Sequence, residues 1–319
     1  MLEQQVKFPQ CEISDFWNPN APNFSGIALK RYTNVHSKYK DPIQSMNFYE
    51  SLPANTNWDW YHWRSGANLR RNLPNARLVS RVIHVDEDVD SDATHFTTQF
   101  GQFVDHDITL TPVEDKEVDC CANANAGDDR CLPIDVSTDD FFSSEDVTCL
   151  NFVRSVQHCE ENGGRRNQVN GITAFLDGSQ IYGSDLETAQ KIRTFSNGEL
   201  SVTVKDSGNL LPKINETFTA GEERAREIPG LTLSHTLWVR EHNRVAKLVA
   251  KTYKTGGTDE EIYQHARRIV VAEYQNIVYG QYLSEILGTD DLKPTTGGSK
   301  YKKTTNPAMT NEFATAAYR

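Results

Sequence analysis

One short segment carries several side chains that could perform acid–base chemistry. The sequence QFVDHD at 102–107 belongs to a stretch whose apolar residues recur at helical spacing. On a helix, Gln102 and His106 lie within about 40° of each other. The neighbouring Asp105 and Asp107 diverge by about 100° to either side of the histidine. A neutral histidine beside a glutamine is suited to moving a proton to and from a small ligand.

The same segment has two other interpretations. His106 could be a hydrogen-bonded core histidine flanked by two solvated aspartates, as is common for a lone Asp-His-Asp sequence. Alternatively, His106 and Asp107 could hold a divalent metal in a hydrolase, with His235 and His242 as further ligands. The spacing within 102–107 is compatible with all three.

A second group of oxygen-bearing residues repeats with a period of two. In TAFLDGS at 173–179, Thr173, Phe175, Asp177 and Ser179 would share one side of an extended chain. Hydroxyl, carboxylate and backbone carbonyl oxygens are hard ligands, of which calcium takes six to eight. Asp107 could complete such a shell from the helix. The alternative is an ordinary edge strand with a polar face.

A third group lies in AGEERAREIP at 220–229, where Arg224 and Glu227 are three residues apart. By itself this spacing is typical of a surface ion pair, which contributes little to stability.

The elements that must position these groups are mostly helical. Apolar periodicity predicts helices over 94–109, 231–251 and 260–287, the second beginning near Pro229 and the third ending at Gly288. The glycines that bound 171–183 favour an extended stretch there. The sequence therefore predicts a mainly α, single-domain fold with little β structure.

Composition excludes several functional classes. The chain has 319 residues, with 33 Lys+Arg against 44 Asp+Glu and a formal net charge of −11. Without a basic tract it lacks the cationic surface that nucleic acid requires, so no nucleic-acid partner is expected. No apolar run approaches the length that a bilayer-spanning helix needs, and MLEQQVKFPQ at the start does not have the pattern of a secretory leader.

Cysteine usage favours an oxidising compartment. Five of the six cysteines, all except Cys11, fall within a 40-residue window that includes the adjacent pair Cys120-Cys121. This clustering predicts local disulfides that staple the acidic segment 113–148, whereas adjacent thiolates would bind one zinc ion poorly. Two N-x-S/T sequons, at Asn23 and Asn215, also favour a secreted, glycosylated protein.

Together these segments resemble the animal haem peroxidase family, also called the peroxidase–cyclooxygenase superfamily, and its peroxinectin- and peroxidasin-like secreted members. The resemblance covers 73–319 and implies a helical haem peroxidase domain, preceded by an irregular wrapping segment over 1–72. The match rests on LPNARLVS (73–80), GQFVDHDITLTP (101–112), TAFLDGSQIYGS (173–184) and AGEERAREIPGLTLSHTLWVREHNR (220–244).

The resemblance implies a role for each residue of the first and third groups. His106 matches the distal histidine, which would take a proton from H₂O₂ and return it to the departing oxygen. Gln102 would hold distal water or a halide, and Arg224 would stabilise charge as the O–O bond breaks. Asp105 and Glu227 match carboxylates that become esterified to the methyl groups of haem b.

The second group matches the calcium shell of that family. The resemblance assigns Asp107, Thr173, Asp177, Ser179 and the carbonyl of Phe175 to Ca²⁺, so that the ion would fix the catalytic helix. It also suggests two disulfides, Cys120–Cys131 and Cys121–Cys149, and leaves Cys11 and Cys159 unassigned. By the same likeness, His235 and His242 are structural.

Some features depart from the family pattern. Ile228 replaces the methionine that forms a sulfonium link to haem in myeloperoxidase, so strong chloride oxidation is not implied. Glu222 stands where an aspartate is usual.

The end of the sequence also bears on the expected activity. The family's proximal histidine lies in an Arg-(Tyr/Phe)-Gly-His motif, whereas this sequence ends in ATAAYR at Arg319, which is assigned to the haem site. The expectation is an incomplete domain that is inactive alone.

Two functions therefore follow from the sequence. The first is the distal part of a secreted peroxidase that uses H₂O₂ and halide or phenolic electron donors, with a possible cell-surface or matrix partner. The alternative is a non-catalytic, calcium-stabilised adhesion or interaction module of the same fold.

Overall fold

The computed structural model shows a mainly helical protein in which helices surround one apolar core. It describes residues 46–47, 74–84, 93–113, 117–122, 128, 130–158, 167–173, 175–206, 208–253, 256–288, 309 and 313–314. The described α-helices are α1 (Ala76–Ile83), α2 (His95–Ile108), α3 (Ser179–Tyr182), α4 (Leu186–Lys191), α5 (Pro229–Ala250), α6 (Asp259–Ile277) and α7 (Leu283–Leu287). Two 3₁₀ helices span Phe141–Glu145 and Glu223–Arg226, and a π-helical turn, Val278–Tyr282, joins α6 to α7.

The described strands are short and form three small antiparallel sheets. They are β1 (Met46–Asn47), β2 (Ile134–Asp135), β3 (Cys149–Leu150), β4 (Gln157–His158), β5 (Asn167–Asn170), β6 (Lys213–Ile214) and β7 (Thr217–Phe218). One sheet has the order β1-β5-β4, and the other two are the pairs β2-β3 and β6-β7. The prediction of a mainly α fold with little β structure is confirmed.

Helices α5 and α6 form the centre of the core. Their sequences define where each helix begins and which of its faces is apolar. Pro229 occupies the first turn of α5, where its missing N–H costs nothing. A reciprocal capping box between Thr258 and Glu261 begins α6. Trp238 of α5 and Tyr274 of α6 contact each other edge to face, and both rings pack against the buried Phe103 of α2.

The three predicted long helices are confirmed, each within one or two residues at its beginning. The third continues to Leu287 as predicted, although a π-helical turn interrupts its α-helical hydrogen bonding at Val278–Tyr282. Such π-helical turns are rare within α-helices, and the apolar pattern of 260–287 did not indicate one.

The predicted extended stretch over 171–183 is wrong in its second half. Gly178 adopts φ 73°, and Ser179–Tyr182 forms the single-turn helix α3. The backbone N–H groups of Gly178 and Ser179 donate to the carboxylate of Asp107, at 3.2 and 2.7 Å. These long-range bonds stabilise a turn where local residue preferences favoured extension.

Two disulfides hold together the segment that follows α2. Cys120–Cys131 and Cys121–Cys149 are both present, as the resemblance predicted, and Cys11 and Cys159 lie outside the described residues. The wrapping segment also lies outside, apart from Met46–Asn47 in β1, so it remains a prediction. Within the described part of the chain, no helix has the length and apolar composition that crossing a membrane requires.

Candidate functional site

Helix α2 presents its polar residues in different directions, as the helical geometry predicted. His106 is 3% exposed and Asp107 is fully buried, whereas Asp105 is half-buried. The hydroxyl of Thr109 donates to the carboxylate of Asp105 at 2.6 Å. One helix therefore offers a buried imidazole, a buried carboxylate and a partly accessible carboxylate in three separate environments.

Arg224 reaches the histidine from a distant part of the sequence. It lies in the 3₁₀ helix Glu223–Arg226, and its Nη2 donates to the backbone carbonyl of His106 at 3.4 Å. The two residues are 118 positions apart. The fold thus brings two residues of separate motifs together at one point.

Glu222 fixes the orientation of Arg224. Its two carboxylate oxygens accept hydrogen bonds from Nε and Nη2 of the arginine, both at 2.8 Å, and the backbone N–H of Arg224 also donates to Glu222 at 3.0 Å. Such bidentate pairs limit the arginine to one orientation. Arg224 binds Glu222 and not Glu227, which is exposed. The sequence interpretation of a surface ion pair between Arg224 and Glu227 therefore does not apply. We call His106, Glu222 and Arg224 the histidine–arginine cluster.

A glycine allows this cluster to assemble. Gly221 lies directly against the end of α3, where a Cβ atom would overlap the backbone N of Gly183 and come within 2.6 Å of the carbonyl carbon of Ile181. Any side chain at 221 would push the Arg224 segment away from α3. The motifs at 173–184 and 220–244 are therefore in direct backbone contact.

Asp107 points in a different direction from His106 on α2 and binds the turn before α3. Besides the two backbone N–H groups, the hydroxyl of Ser179 donates to the Asp107 carboxylate at 2.9 Å. Asp177 lies in the same turn, and its carboxylate accepts hydrogen bonds from the hydroxyl of Thr173 and the N–H of Ser179, both at 3.1 Å. These contacts bring together Thr173, Asp177, Ser179 and Asp107.

Asp107 and Asp177, here the carboxylate pair, experience unfavourable electrostatics. Burial and then the negative charge of Asp177 raise the pKa of Asp107 well above its ordinary value, against opposing hydrogen bonds from Ser179 and Gly178. Burial likewise raises the pKa of Asp177, although the charge of Arg267 acts in the opposite direction. Two carboxylates so close together, one fully buried and one half-buried, favour a bound cation, which would offset both charges.

The metal-hydrolase interpretation lacks a ligand set. Among the residues that the structure describes, no three His, Cys, Asp or Glu side chains surround a common point. His242 is committed elsewhere, because its Nε2 contacts the carbonyl of Gly198 at 2.8 Å and its Nδ1 contacts the hydroxyl of Tyr182 at 3.0 Å. The carboxylate pair instead offers oxygen atoms alone, a donor set that suits calcium.

The other predicted site residues are less tightly placed. Gln102 is half-buried on α2, one turn before His106, and Phe175 is half-buried in the turn before α3. Glu227 is exposed directly after the 3₁₀ helix that carries Arg224. Arg319 lies outside the described residues.

Sequence reasoning missed the function of Glu222 and the location of His235. In the sequence Glu222 stands out only as a departure from a family pattern, because side chains two residues apart do not face each other on a helix and so give no sign of the pair that forms. His235 lies on α5, is 1% exposed, and contacts Phe103 of α2 edge to face, with ring centroids 4.9 Å apart. No sequence signal placed His235 beside α2.

The family profile and the curated relatives that the sequence matches agree with each other. The family profile described as animal haem peroxidase matches residues 25–319. Chorion peroxidase of Aedes aegypti is 35% identical, over 82% of this chain and 38% of that protein. Thyroid peroxidase of Rattus norvegicus is also 35% identical, over 77% of this chain and 31% of its own length. The chain thus spans about a third of the length of these curated relatives.

Solved structures share the fold at lower sequence identity. Peroxidase A from Dictyostelium discoideum superposes with a TM-score of 0.62 and 24% identity, over 87% of this chain and 53% of that one. A fatty acid alpha-dioxygenase of Arabidopsis thaliana has a TM-score of 0.59 and 20% identity, over 78% of this chain and 35% of that one.

Proposed function

Because this chain belongs to the animal haem peroxidase family, we propose that its histidine–arginine cluster forms the peroxide-binding side of a haem peroxidase. The observation that carries the proposal is the hydrogen bond from Arg224 to the backbone carbonyl of the buried His106, across 118 residues of sequence. A general acid–base group and a fixed cation at one point are what heterolysis of a peroxide bond requires.

Two carboxylates beside the cluster support a haem site. Asp105 is half-buried on α2 next to His106, and Glu227 is exposed next to the 3₁₀ helix of Arg224, so each carboxylate is accessible near the cluster. Ester bonds from these two residues would hold haem b at its edge, and Arg319 is proposed to contact it as well. When bound, the haem would supply the two-electron reduction of H₂O₂ and the oxidation of a donor.

The chain's own residues would handle peroxide and protons. A ring nitrogen of His106 would accept the first proton of H₂O₂ and deliver it to the departing oxygen, so that water leaves. The guanidinium of Arg224, oriented by Glu222, would stabilise negative charge on the oxygens while the bond breaks. Gln102 would hold water or a halide at the mouth of the site.

The carboxylate pair would bind Ca²⁺ and hold α2 in place. Asp107 and Asp177, the hydroxyls of Thr173 and Ser179, and the carbonyl of Phe175 would supply the oxygen ligands. The buried like charges support this assignment, because an ion would replace a costly repulsion with two attractions. His106 immediately precedes Asp107, so the ion would also fix the catalytic histidine.

Halides or phenols are the proposed electron donors, and the proposed location is extracellular. The two disulfides support export, since such bonds persist in oxidising compartments. Asn215, in the exposed turn between β6 and β7, is a proposed glycosylation site. A partner on the cell surface or in the matrix is part of the same proposal.

The test is haem binding and peroxide turnover by the full chain with single histidine variants. The purified chain is titrated with haem while its Soret band is followed, and guaiacol oxidation by H₂O₂ is then measured. Where the wild-type chain shows turnover, contrary to the expectation that it is inactive alone, His106→Ala should lower that turnover by about 10²- to 10⁴-fold, as expected for loss of a general acid–base group. His265→Ala, a change at an exposed histidine of α6, is the matched control and should leave turnover unchanged.

Two outcomes would overturn the proposal. Equal turnover in His106→Ala and the control would remove His106 from the chemistry. A chain that binds calcium but no haem would instead support the alternative of a calcium-stabilised, non-catalytic module.

A further inference from the structure

A buried histidine that the proposed mechanism does not use lies next to the cluster. His235 and His242 are two turns apart on α5, and their side chains are 1% and 0% exposed. Both ring nitrogens of His242 have hydrogen-bond partners. Among the described residues, neither ring nitrogen of His235 has one.

This difference is chemically significant because a neutral imidazole has one donor and one acceptor. Leaving both groups buried without partners is unfavourable, and native proteins usually satisfy such groups with a protein atom or an ordered water. A leucine or phenylalanine would pack equally well against Phe103 without that cost. A polar residue at 235 is therefore best explained by a bound polar ligand.

The surroundings of His235 indicate where that ligand lies. Phe103, which the His235 ring contacts, is one turn before His106 on α2. Burial, followed by the charges of His106 and Arg224, lowers the pKa of His235 to about 3, and Glu222 acts in the opposite direction. Because Phe103 and His106 are three residues apart on α2, they are neighbours on one face of that helix, and this places the His235 ring beside the cluster.

A permanently neutral His235 could not take over the proton transfer assigned to His106. With a pKa of about 3, its ring keeps one donor and one acceptor throughout the neutral pH range. Such a group can orient a water molecule in a fixed way. It is therefore suited to positioning.

We propose that His235 is a positioning residue whose ring binds a buried water, and that this water links α5 to the histidine–arginine cluster. The catalytic part of this proposal rests on the proposed peroxidase function, whereas the presence of the water at His235 does not. The water would connect α5 to His106 and Arg224 and so restrain them. Glu222 restrains Arg224 in a similar way, but from within the same segment of the chain.

Two substitutions separate this role from simple packing. His235→Leu removes both polar atoms, whereas His235→Gln keeps a donor and an acceptor for the water. In the haem-loaded chain, His235→Leu should lower the rate of reaction with H₂O₂ and the affinity for cyanide by about 10 to 100-fold, the usual effect of losing an outer-shell contact. His235→Gln should restore most of both. Equal values for the leucine variant and the wild type, or equal losses in both variants, would overturn the proposal.

A second measurement needs no haem. A high-resolution crystal structure of the full chain should show an ordered water within hydrogen-bond distance of a His235 ring nitrogen, absent from His235→Leu and retained in His235→Gln. A dry site, or a direct protein partner on both nitrogens, would overturn the proposal even in an active peroxidase. A chain that has this water but binds no haem would refute only the peroxidase function.

Discussion

Two polar regions lie inside this fold, and they are satisfied in different ways. In the paired region, consisting of Tyr182, Gly198 and His242, the histidine contacts the tyrosine hydroxyl and the glycine carbonyl at 3.0 and 2.8 Å. What we call the ligand region comprises two separate places: the carboxylate pair Asp107 and Asp177, whose like charges are close together, and the imidazole of His235, which is without a described partner. The first region is complete without a ligand, whereas the second is not.

The difference shows how to separate structural from functional polar groups in a core. Because the carbonyl of Gly198 can only accept, Nε2 of His242 must carry the proton and donate it, and the Tyr182 hydroxyl then donates to Nδ1. Each group has a fixed role that the chain supplies. Where the chain supplies no hydrogen-bond partner or opposite charge for a buried polar group, a bound water or cation is the simplest remaining partner.

The largest expected effect on stability comes from removing the histidine of the paired region. His242→Ala should lower the free energy of unfolding by about 4 kcal/mol, because it leaves the Tyr182 hydroxyl and the Gly198 carbonyl unpaired and creates a cavity. Urea unfolding followed by circular dichroism measures this loss, with His265→Ala as the exposed control. A loss no larger than that of the control would mean that the paired region does not hold the fold.

The second effect is the response of the carboxylate pair to calcium. At about 100 times its Kd, calcium should stabilise the folded chain by about 2.7 kcal/mol, and Asp107→Asn should abolish most of that gain. Asp206→Asn, at an exposed position, is the matched control. Thermal unfolding with calcium and with a chelator gives both values. Identical calcium responses in the two variants would remove Asp107 from the site.

The third effect is acid destabilisation by the buried histidines. Burial lowers the pKa of His242 from 6.5 to about 4, with the charges of Arg193 and Arg267 adding to this shift and the Gly198 bond opposing it. The unfolded chain therefore binds the proton first, so stability is lost as the pH falls below 6.5 and continues to fall until about pH 4.

From pH 7.5 to pH 5, His242 alone should cost about 2 kcal/mol. His242→Phe should show a shallower dependence of unfolding free energy on pH over that interval. Parallel pH curves for the wild type and the variant would show that His242 is already charged in the folded protein.

The smallest effect compares the two histidines of α5 directly. His235→Leu should change the free energy of unfolding by less than about 1 kcal/mol, because no direct protein hydrogen bond is lost and two polar atoms leave the core. Chemical unfolding of His235→Leu beside His242→Ala measures the contrast. Similar losses in the two variants would erase the distinction between the regions.

Much of the site could be anticipated from local sequence. Helical geometry alone placed Gln102 beside His106 and turned Asp105 and Asp107 to either side of it, and all four residues lie on the helix α2. The extended prediction for 171–183 failed because Asp107, more than 60 residues earlier, binds the backbone of Ser179. A contact between distant segments leaves no trace in the local pattern of either one.

The sequence by itself determined the helices, the family, and the residue types available for proton transfer and calcium binding, because periodicity and motif order are local properties. Only the tertiary structure decided that Arg224 binds Glu222 and reaches His106, and that His235 lies beside them. It also showed that His242 is satisfied by Tyr182 and Gly198. The physical reason is that burial and pairing depend on which segments meet, and a polar side chain has the same sequence signature whether or not the fold gives it a partner.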